Sequence, residues 1–252
     1  MRPFFSYYGA KYTVSRHAGP PRRGLIIEPF AGSAAYATRY GLGTRVALYD
    51  LSPEVCDLWD WLINGSEADV RAIPDVFESF EEVERLARGP NLLVRFWVSK
   101  GRAEPSGVLS PWYFRYRNAQ DCKVWGAPVK DRIIRQKQHI RLWTVDCLPY
   151  WRVPVREAHW HIDPPYNNEA GSRYPFSAVD YEHLASWCKH LPGAVDVFEN
   201  EGASWLPFQP LCDAETTRGK REGVVSREMI ARFENSPNAA PFDEADRLVE
   251  AT

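Results

Sequence analysis

Residues 25–64 carry the pattern that most restricts the fold of this chain. Two apolar runs, "LIIEPF" (25–30) and "RVALYD" (45–50), are separated by a stretch rich in small residues that predicts a helix. Ser52 and Pro53 then provide an N-cap and a first-turn proline for a second helix. A strand, a helix, a strand and a helix in such close succession are typical of a parallel α/β sheet.

The rest of the chain continues this alternation less regularly. Residues 66–90 look helical and acidic, whereas 90–127 lose regularity because Pro, Gly and Trp are interspersed. The later elements that we predict are a helix over 128–143, strands over 141–146 and 158–163, a helix over 178–190 and a strand over 194–199. Residues 235–252, rich in acids and containing two prolines, predict a frayed tail.

Length and composition bound the class of protein. With 252 residues and 44% apolar content, the chain suffices for one large α/β domain, or for one domain with an insert. The sequence contains no run of eighteen apolar residues, so we predict no membrane span. The opening "MRPFFSYYGAKY" lacks the apolar core of a secretory signal. The five cysteines are scattered without a C-x-x-C pair, so we expect neither disulfides nor a zinc site, and a reducing cytoplasm fits best.

The charges are distributed unevenly along the chain. The net charge is only −2, yet residues 85–141 contain thirteen Lys or Arg and three acids. A positive block inside an otherwise acidic protein is the pattern expected for binding a polyanion, although a solvated basic face gives the same pattern. The candidate contacts to a nucleic acid are Arg115, Arg117, Lys123, Lys130, Arg132 and Arg135, interleaved with the aromatic residues Trp112, Tyr113, Phe114, Tyr116 and Trp125, about half of which we expect in the core. Arg218, Lys220 and Arg221 form a second basic segment.

The first strand-to-helix turn is a candidate ligand site. Ligands of open parallel sheets bind beyond the carboxyl ends of the strands, where Gly32 would let a ligand approach the backbone. Asp50 ends the next strand, where an acid would reach the hydroxyls of a ribose. Because the G-x-G-x-x-G pattern is absent, a nucleoside without phosphates is favoured over a dinucleotide; a purely structural turn is the alternative.

The segment "HWHIDPPYNN" (159–168) ends a predicted buried strand with an acid and two prolines. Prolines stop the hydrogen-bond ladder of a sheet, so Asp163 and a backbone carbonyl beside it are left as acceptors. Two adjacent acceptors suit the two N–H bonds of an amino group, and Tyr166 offers a flat face for a base. A structural turn is again the alternative.

His159 and His161 alternate on the same predicted strand. Two histidines on one face can bind a metal, but no third ligand is evident in the sequence. We therefore expect them to pack against a neighbouring element, and we expect no metal.

Several of these motifs together resemble one enzyme family. "DPPY" (163–166) after an apolar strand resembles motif IV of the methyltransferases that modify adenine N6 or cytosine N4. "EPFAGSAA" (28–35) is similar to their S-adenosylmethionine motif I, and "FFSYYGAK" (4–11) is similar to the segment that precedes it in Dam-like DNA adenine methyltransferases. The order of the motifs is that of the α-group, and residues 197–208 and 216–230 resemble late segments of phage-type members.

This resemblance implies the fold and a set of residue roles. It implies a Rossmann-like methyltransferase fold with a catalytic domain at 1–65 and 141–234, an inserted basic region at 66–140 for target recognition, and a flexible tail. The implied cofactor contacts are Tyr7, Gly9, Lys11, Glu28, Pro29, Phe30, Gly32, Asp50, Asp146, Cys147 and Asp163. The implied catalytic residues are Asp163, Pro164, Pro165 and Tyr166.

The implied activity is methyl transfer from S-adenosylmethionine to the N6 amine of an adenine flipped out of duplex DNA. Asp163 and the Pro164 carbonyl would orient the amine toward the methyl group, and no metal would be needed. The alternatives are methylation of cytosine N4 or of RNA by the same site, and a nucleic-acid-binding relative without activity. A dehydrogenase is disfavoured by the missing glycines.

Overall fold

The computed structural model describes residues 1–215 and 225–236. In these residues seven strands form one sheet in the order β3-β2-β1-β4-β5-β7-β6. The strands are β1 (Leu25–Glu28), β2 (Arg45–Asp50), β3 (Trp143–Cys147), β4 (Ala158–Ile162), β5 (Gly193–Asn200), β6 (Gln209–Glu215) and β7 (Val225–Asn235). The first five are parallel, and β7 runs antiparallel to both β5 and β6. The predicted α/β class with a mainly parallel sheet is confirmed.

The helices connect and cover the strands. They are α1 (Ser15–Ala18), α2 (Ala35–Tyr40), α3 (Pro53–Asn64), α4 (Glu67–Arg71), α5 (Phe80–Glu84), α6 (Arg88–Val98), α7 (Pro111–Tyr116), α8 (Ala127–Lys137) and α9 (Tyr181–His190). Short 3-10 turns follow at Gln138–Ile140, Tyr150–Arg152 and Gly171–Arg173. As predicted, Ser52 caps α3, because its side chain accepts a hydrogen bond from the Val55 N–H.

The central strands β1, β2, β4 and β5 are buried on both faces, as is typical of a parallel sheet. Ile26 of β1 belongs to a core cluster that also holds Phe4 and Trp59, whereas the next residue, Ile27, belongs to a cluster on the opposite face. Successive side chains of a strand point to opposite faces, and β1, β2, β5 and β7 each contribute to both clusters. Trp160 of β4 lies in the second cluster.

The basic region 66–140 shares its core with the sheet. Trp97, Trp125 and Ile133 from this region are buried in the same cluster as Phe4 and Trp59. The positively charged block is thus carried in part by α6, which packs on α3, the helix that contacts β2 and β3.

The structure differs from the sequence prediction in several elements. The helix over residues 88–98 extends well into the chain that we predicted to be irregular from residue 90, since Gly89 and Pro90 obscure the start of an amphipathic pattern whose apolar residues are buried. Pro90 is tolerated because it lies in the first turn. The helix predicted over 128–143 ends at Lys137, and a 3-10 turn leads to the strand at Trp143.

The two strands of the antiparallel edge were not predicted. In β7, buried and exposed residues alternate imperfectly and charged residues are frequent, so the apolar pattern is weak. The predicted tail begins within β7, which includes Asn235, and its residues from 237 onward lie outside the described part of the chain. No helix in residues 1–215 and 225–236 is long and apolar enough to cross a membrane.

Gly193 allows a close approach of β5 to β4 that a side chain would prevent. Its φ is +97°, and a Cβ atom would lie 2.3 Å from the Ala158 carbonyl oxygen. We expect Gly193→Ala to lower the free energy of unfolding by about 3 kcal/mol, measured by urea denaturation. Gly202→Ala is the matched control: its φ is +98° with no atom within 4 Å, so it should cost only about 1 kcal/mol. Equal losses in the two variants would refute the role of the close approach.

Candidate functional site

A cleft of about 880 Å³, part of it open to solvent, lies beyond the carboxyl ends of β1, β2 and β4. It occupies the place where β1 and β4 are neighbours and their connections diverge, which is where open parallel sheets bind ligands. The predicted residues that line it are Tyr7, Gly9, Lys11, Glu28, Pro29, Phe30, Gly32, Asp50, Asp163 and Pro165. Pro164 and Tyr166 are buried behind this lining.

The turn after β1 is held by Asp50. One carboxylate oxygen of Asp50 accepts the Gly32 N–H at 2.8 Å, and the other accepts the Ser52 N–H at 2.9 Å. Gly32 has a φ of +46°, and a Cβ atom there would lie 2.9 Å from the ring of Tyr7. Glycine is therefore required both by the backbone conformation and by the close approach of Tyr7.

Two carboxyl groups at this end of the cleft are poorly solvated. Burial raises the pKa of Glu28 to about 8, opposed by a hydrogen bond from the Ala37 N–H at 2.6 Å. Burial also raises the pKa of Asp50, opposed by the backbone N–H groups that it accepts. A cation or a set of hydroxyl donors in the cleft would stabilise both carboxylates.

The turn after β4 is clamped from several sides. The Pro165 carbonyl accepts the Tyr181 hydroxyl at 2.7 Å, and Glu199 accepts the Asn167 N–H at 3.1 Å. Gly171 packs so closely that a Cβ atom would lie 1.9 Å from the Tyr166 carbonyl oxygen. Among the described residues, no hydrogen bond is made to the Pro164 carbonyl. The turn thus leaves one backbone acceptor beside Asp163.

Asp163 lies at the junction of opposing charges. Burial raises its pKa to about 7; Lys11 acts against this, whereas Glu228 and Glu199 raise the pKa further. The carboxyl group of Asp163 consequently changes its charge near neutral pH.

Tyr166 is held away from the cleft in this structure. Its hydroxyl donates to a carboxylate oxygen of Glu228 at 2.7 Å, and the Lys11 ammonium lies 4.3 Å from the centre of its ring. The side chain is only 8% exposed. The predicted flat face for a base is therefore covered in this conformation, on at least the side where Lys11 lies.

Several residues of the cleft were missed by the sequence analysis. The segment between β4 and α9 contributes Tyr174 and Phe176, and the Tyr174 hydroxyl donates to the Tyr8 carbonyl at 3.1 Å. The same hydroxyl lies 2.0 Å from the position of a Cβ atom at Gly9, which accounts for glycine there. Tyr150 and Trp151, just after β3, also line the cleft. No local sequence pattern marks these residues, because tertiary packing alone brings them to the cleft.

Asp146 and Cys147 do not line the cleft. They end β3, opposite Tyr49 and Asp50 of β2, and Cys147 is exposed. Its sulfur lies 3.8 Å from the Leu51 carbonyl oxygen, and Leu51 itself does line the cleft. The two residues are thus next to the Asp50 end of the site.

His159 and His161 are buried and stack on the ring of Tyr36, with ring centres 5.1 Å and 4.4 Å away. Burial lowers the pKa of His159 to about 3 and that of His161 well below its usual value, so both imidazoles are neutral. In the described ranges no group of three or more His, Cys, Asp or Glu side chains has the arrangement of a metal site.

The candidate nucleic-acid contacts divide into two groups. Arg115, Lys123 and Arg135 are exposed, although Lys123 pairs with Asp121 at 2.8 Å. The other three have structural partners: Arg117 pairs with Glu78, Lys130 donates to the Ile73 carbonyl, and Arg132 donates to the Pro3 carbonyl. Of the interleaved aromatic residues, Trp112 and Phe114 are 44% and 47% exposed, whereas Tyr113 and Trp125 are buried. Arg218, Lys220 and Arg221 lie outside the described residues.

The lining of the cleft is acidic and contains unpartnered polar atoms. Lys11 is the only Lys or Arg among the described lining residues, against three acids. Ser33 Oγ and His161 Nδ1 are buried without a hydrogen-bond partner in the described part of the chain. Such a lining suits a polar ligand with net positive charge and disfavours a pyrophosphate. Neither a scan against protein-family models nor a search of curated proteins returns a significant match for this chain.

Proposed function

We propose that this protein transfers a methyl group from S-adenosylmethionine to the N6 amine of an adenine in DNA. The observation that carries the proposal is the position of Asp163 beside a Pro164 carbonyl that accepts no hydrogen bond in the described residues. Both follow β4, and Asp163 opens into the same cleft as Gly32 and Asp50. An amine acceptor and a nucleoside site in one cleft are what amino-group methylation requires.

The cleft has the chemistry to hold S-adenosylmethionine. This cofactor carries a sulfonium and an ammonium against a single carboxylate, so its net positive charge complements Glu28, Asp50 and Asp163. Asp50 uses one lone pair of each oxygen for the turn, which leaves acceptor capacity for two ribose hydroxyls. The unpartnered Ser33 hydroxyl is a further donor or acceptor for the cofactor.

The protein groups act on the substrate amine by position and charge. The cofactor supplies an electrophilic methyl group when bound. In this proposal the Asp163 carboxylate accepts one N–H bond of the amine, and the Pro164 carbonyl accepts the other after the residues in front of it have moved, which directs the nitrogen lone pair into the cleft. After transfer, Asp163 is placed to take the proton that the amine loses, as expected for a carboxyl group with a pKa of about 7.

The substrate base must leave the duplex to reach Asp163, at a cost of a few kcal/mol. The exposed Arg115 and Arg135, together with Trp112 and Phe114, provide the cationic and aromatic surface that we assign to DNA. In this proposal a base stacks on Tyr166 after the side chains that cover its ring have moved. The finer fold assignment follows: we interpret the sheet as the methyltransferase variant of a Rossmann-like fold.

Incubation with labelled S-adenosylmethionine and unmethylated duplex DNA, followed by digestion to nucleosides, tests the activity. We expect N6-methyladenine from the wild type, and a loss of at least about 100-fold in Asp163→Asn because one acceptor becomes a donor. Asp60→Asn is the matched control, since Asp60 is exposed on α3 and its side chain accepts a hydrogen bond from the nearby Asn64 side chain. N4-methylcytosine would keep the mechanism and overturn the choice of base. Methylation of RNA alone would overturn the choice of DNA as the substrate. If neither nucleic acid is methylated and the protein does not bind the cofactor, the proposal that it is a methyltransferase is refuted.

The pH dependence of Asp163 should have opposite signs for activity and for stability. The ionised carboxylate of Asp163 is the better acceptor for its N–H bond and can also take up the proton, so kcat/KM should rise as the pH increases through about 7. The raised pKa favours the folded state while Asp163 is protonated, and this stabilisation is lost as the pH rises through the folded-state value.

Asp163→Asn, which stays neutral, should therefore gain about 2 kcal/mol of unfolding free energy relative to the wild type between pH 5 and pH 9. This is less than the full shift implies, because Asp163 is partly exposed. Urea denaturation at a series of pH values measures this difference. A difference that is constant with pH would contradict the assignment.

Asp50→Asn should weaken the binding of S-adenosylmethionine. An amide cannot accept both the Gly32 and Ser52 N–H groups without turning an N–H₂ donor toward one of them. We expect the Kd to rise at least about tenfold by isothermal titration calorimetry, the equivalent of 1.4 kcal/mol. Asp60→Asn again serves as the control, and an unchanged Kd for Asp50→Asn would place the cofactor elsewhere.

A further inference from the structure

An acidic side chain from β7, near the antiparallel edge of the sheet, lies close to the residues behind the cleft. Glu228 belongs to β7, two strands away from β4, and its side chain is only 4% exposed. Because β7 runs antiparallel to β5, its early residue Glu228 pairs with Asn200 at the carboxyl end of β5. The reversed strand direction therefore delivers a buried carboxylate to the edge where the parallel strands end.

Glu228 contacts both Tyr166 and Lys11. One of its carboxylate oxygens accepts the Tyr166 hydroxyl at 2.7 Å and lies 3.5 Å from the Lys11 ammonium. The other oxygen accepts the Ser226 hydroxyl at 2.9 Å. The Lys11 ammonium lies 4.3 Å from the centre of the Tyr166 ring, so Lys11, Tyr166 and Glu228 form a closed triangle of contacts.

We propose that Glu228 and Lys11 are a pair of positioning residues, which hold the phenol of Tyr166 and balance the charges that face Asp163. This inference rests on the proposed function, since it explains how the amine acceptor is kept ready. Neither residue needs to contact the reacting atoms. Glu228 acts through the Tyr166 hydroxyl, and Lys11 acts through the ring and through its position in the cleft lining.

Within the described residues, the charged groups around Asp163 come from four parts of the chain. Lys11 lies on the N-terminal segment, Glu28 on β1, Glu199 on β5 and Glu228 on β7. Glu199 is committed to the Asn167 N–H and the Trp205 indole N–H, and Glu28 to the Ala37 N–H. Glu228 differs from these two acids, because its partner Lys11 is a cation that also acts directly on Asp163. Loss of Glu228 should thus lower the pKa of Asp163, whereas loss of Lys11 should raise it.

The test is a titration of Asp163 by carboxyl ¹³C NMR in the protein without substrate, with the signal assigned from its absence in Asp163→Asn. Glu228→Gln keeps an oxygen that accepts the Tyr166 hydroxyl and removes the charge, so the midpoint should fall by about one pH unit. Lys11→Met should raise it by a similar amount. Glu201→Gln is the matched control, because Glu201 is an exposed neighbour that pairs with Arg227. Thermal denaturation confirms that each variant is folded.

Methyl transfer gives the second readout. The acid limb of the pH profile for Glu228→Gln should move to lower pH together with the NMR midpoint, while the rate on the high-pH plateau falls less than about threefold. An unchanged midpoint in folded Glu228→Gln would overturn the inference even if the wild type methylates DNA. The expected midpoints without methyl transfer by the wild type would overturn the proposed function and leave the charge pairing intact. If Glu228→Gln loses most of its high-pH methylation rate while the midpoint of Asp163 is unchanged, Glu228 has a structural role only and the inference is overturned.

Discussion

The parallel pairing of β1 with β4 is the constraint on which the cleft depends. Ile26 and Ile27 pair with His159 and Trp160, so the two strands end side by side although more than a hundred residues separate them in sequence. The chain leaves β1 toward β2 on one side and leaves β4 toward β5 on the other. Divergent connections leave a crevice beyond the ends of the two strands. Gly32, Asp50 and Asp163 all line that crevice.

Buried carboxylates are tolerated at this edge because fixed N–H groups face them. Glu28 accepts from Ala37, Asp50 from Gly32 and Ser52, and Glu199 from Asn167 and the Trp205 indole. These donors belong to turns and to a helix start, so they are oriented by the fold before any ligand arrives. Asp163 has weaker support of this kind, and its protonation is accordingly balanced between burial and the surrounding charges.

Local patterns predicted the parts of the molecule that depend on neighbours in sequence. The strand ends that carry Gly32, Asp50 and Asp163 were found from apolar runs and turn residues, and they do meet in one cleft. Tyr174 and Glu228 were not found, since no spacing along the chain signals a contact made across the sheet. The number of Lys and Arg residues in a segment likewise does not show which of these side chains are exposed and which are held by the fold. Arg132, for example, donates to a main-chain carbonyl of the N-terminal segment.

The N-terminal segment has few partners near it in sequence. Phe4 accepts a hydrogen bond from the Trp97 indole at 2.9 Å, and Lys11 reaches Glu228. During synthesis on the ribosome, Phe4 and Lys11 are therefore made long before the side chains that hold them. Phe4 gains its partner only when α6 has been made and Lys11 gains Glu228 only when β7 has been made, although every described residue that lines the cleft precedes α9. A nascent chain that ended before β7 would accordingly contain every described residue that lines the cleft but would lack the Glu228 carboxylate that pairs with Lys11.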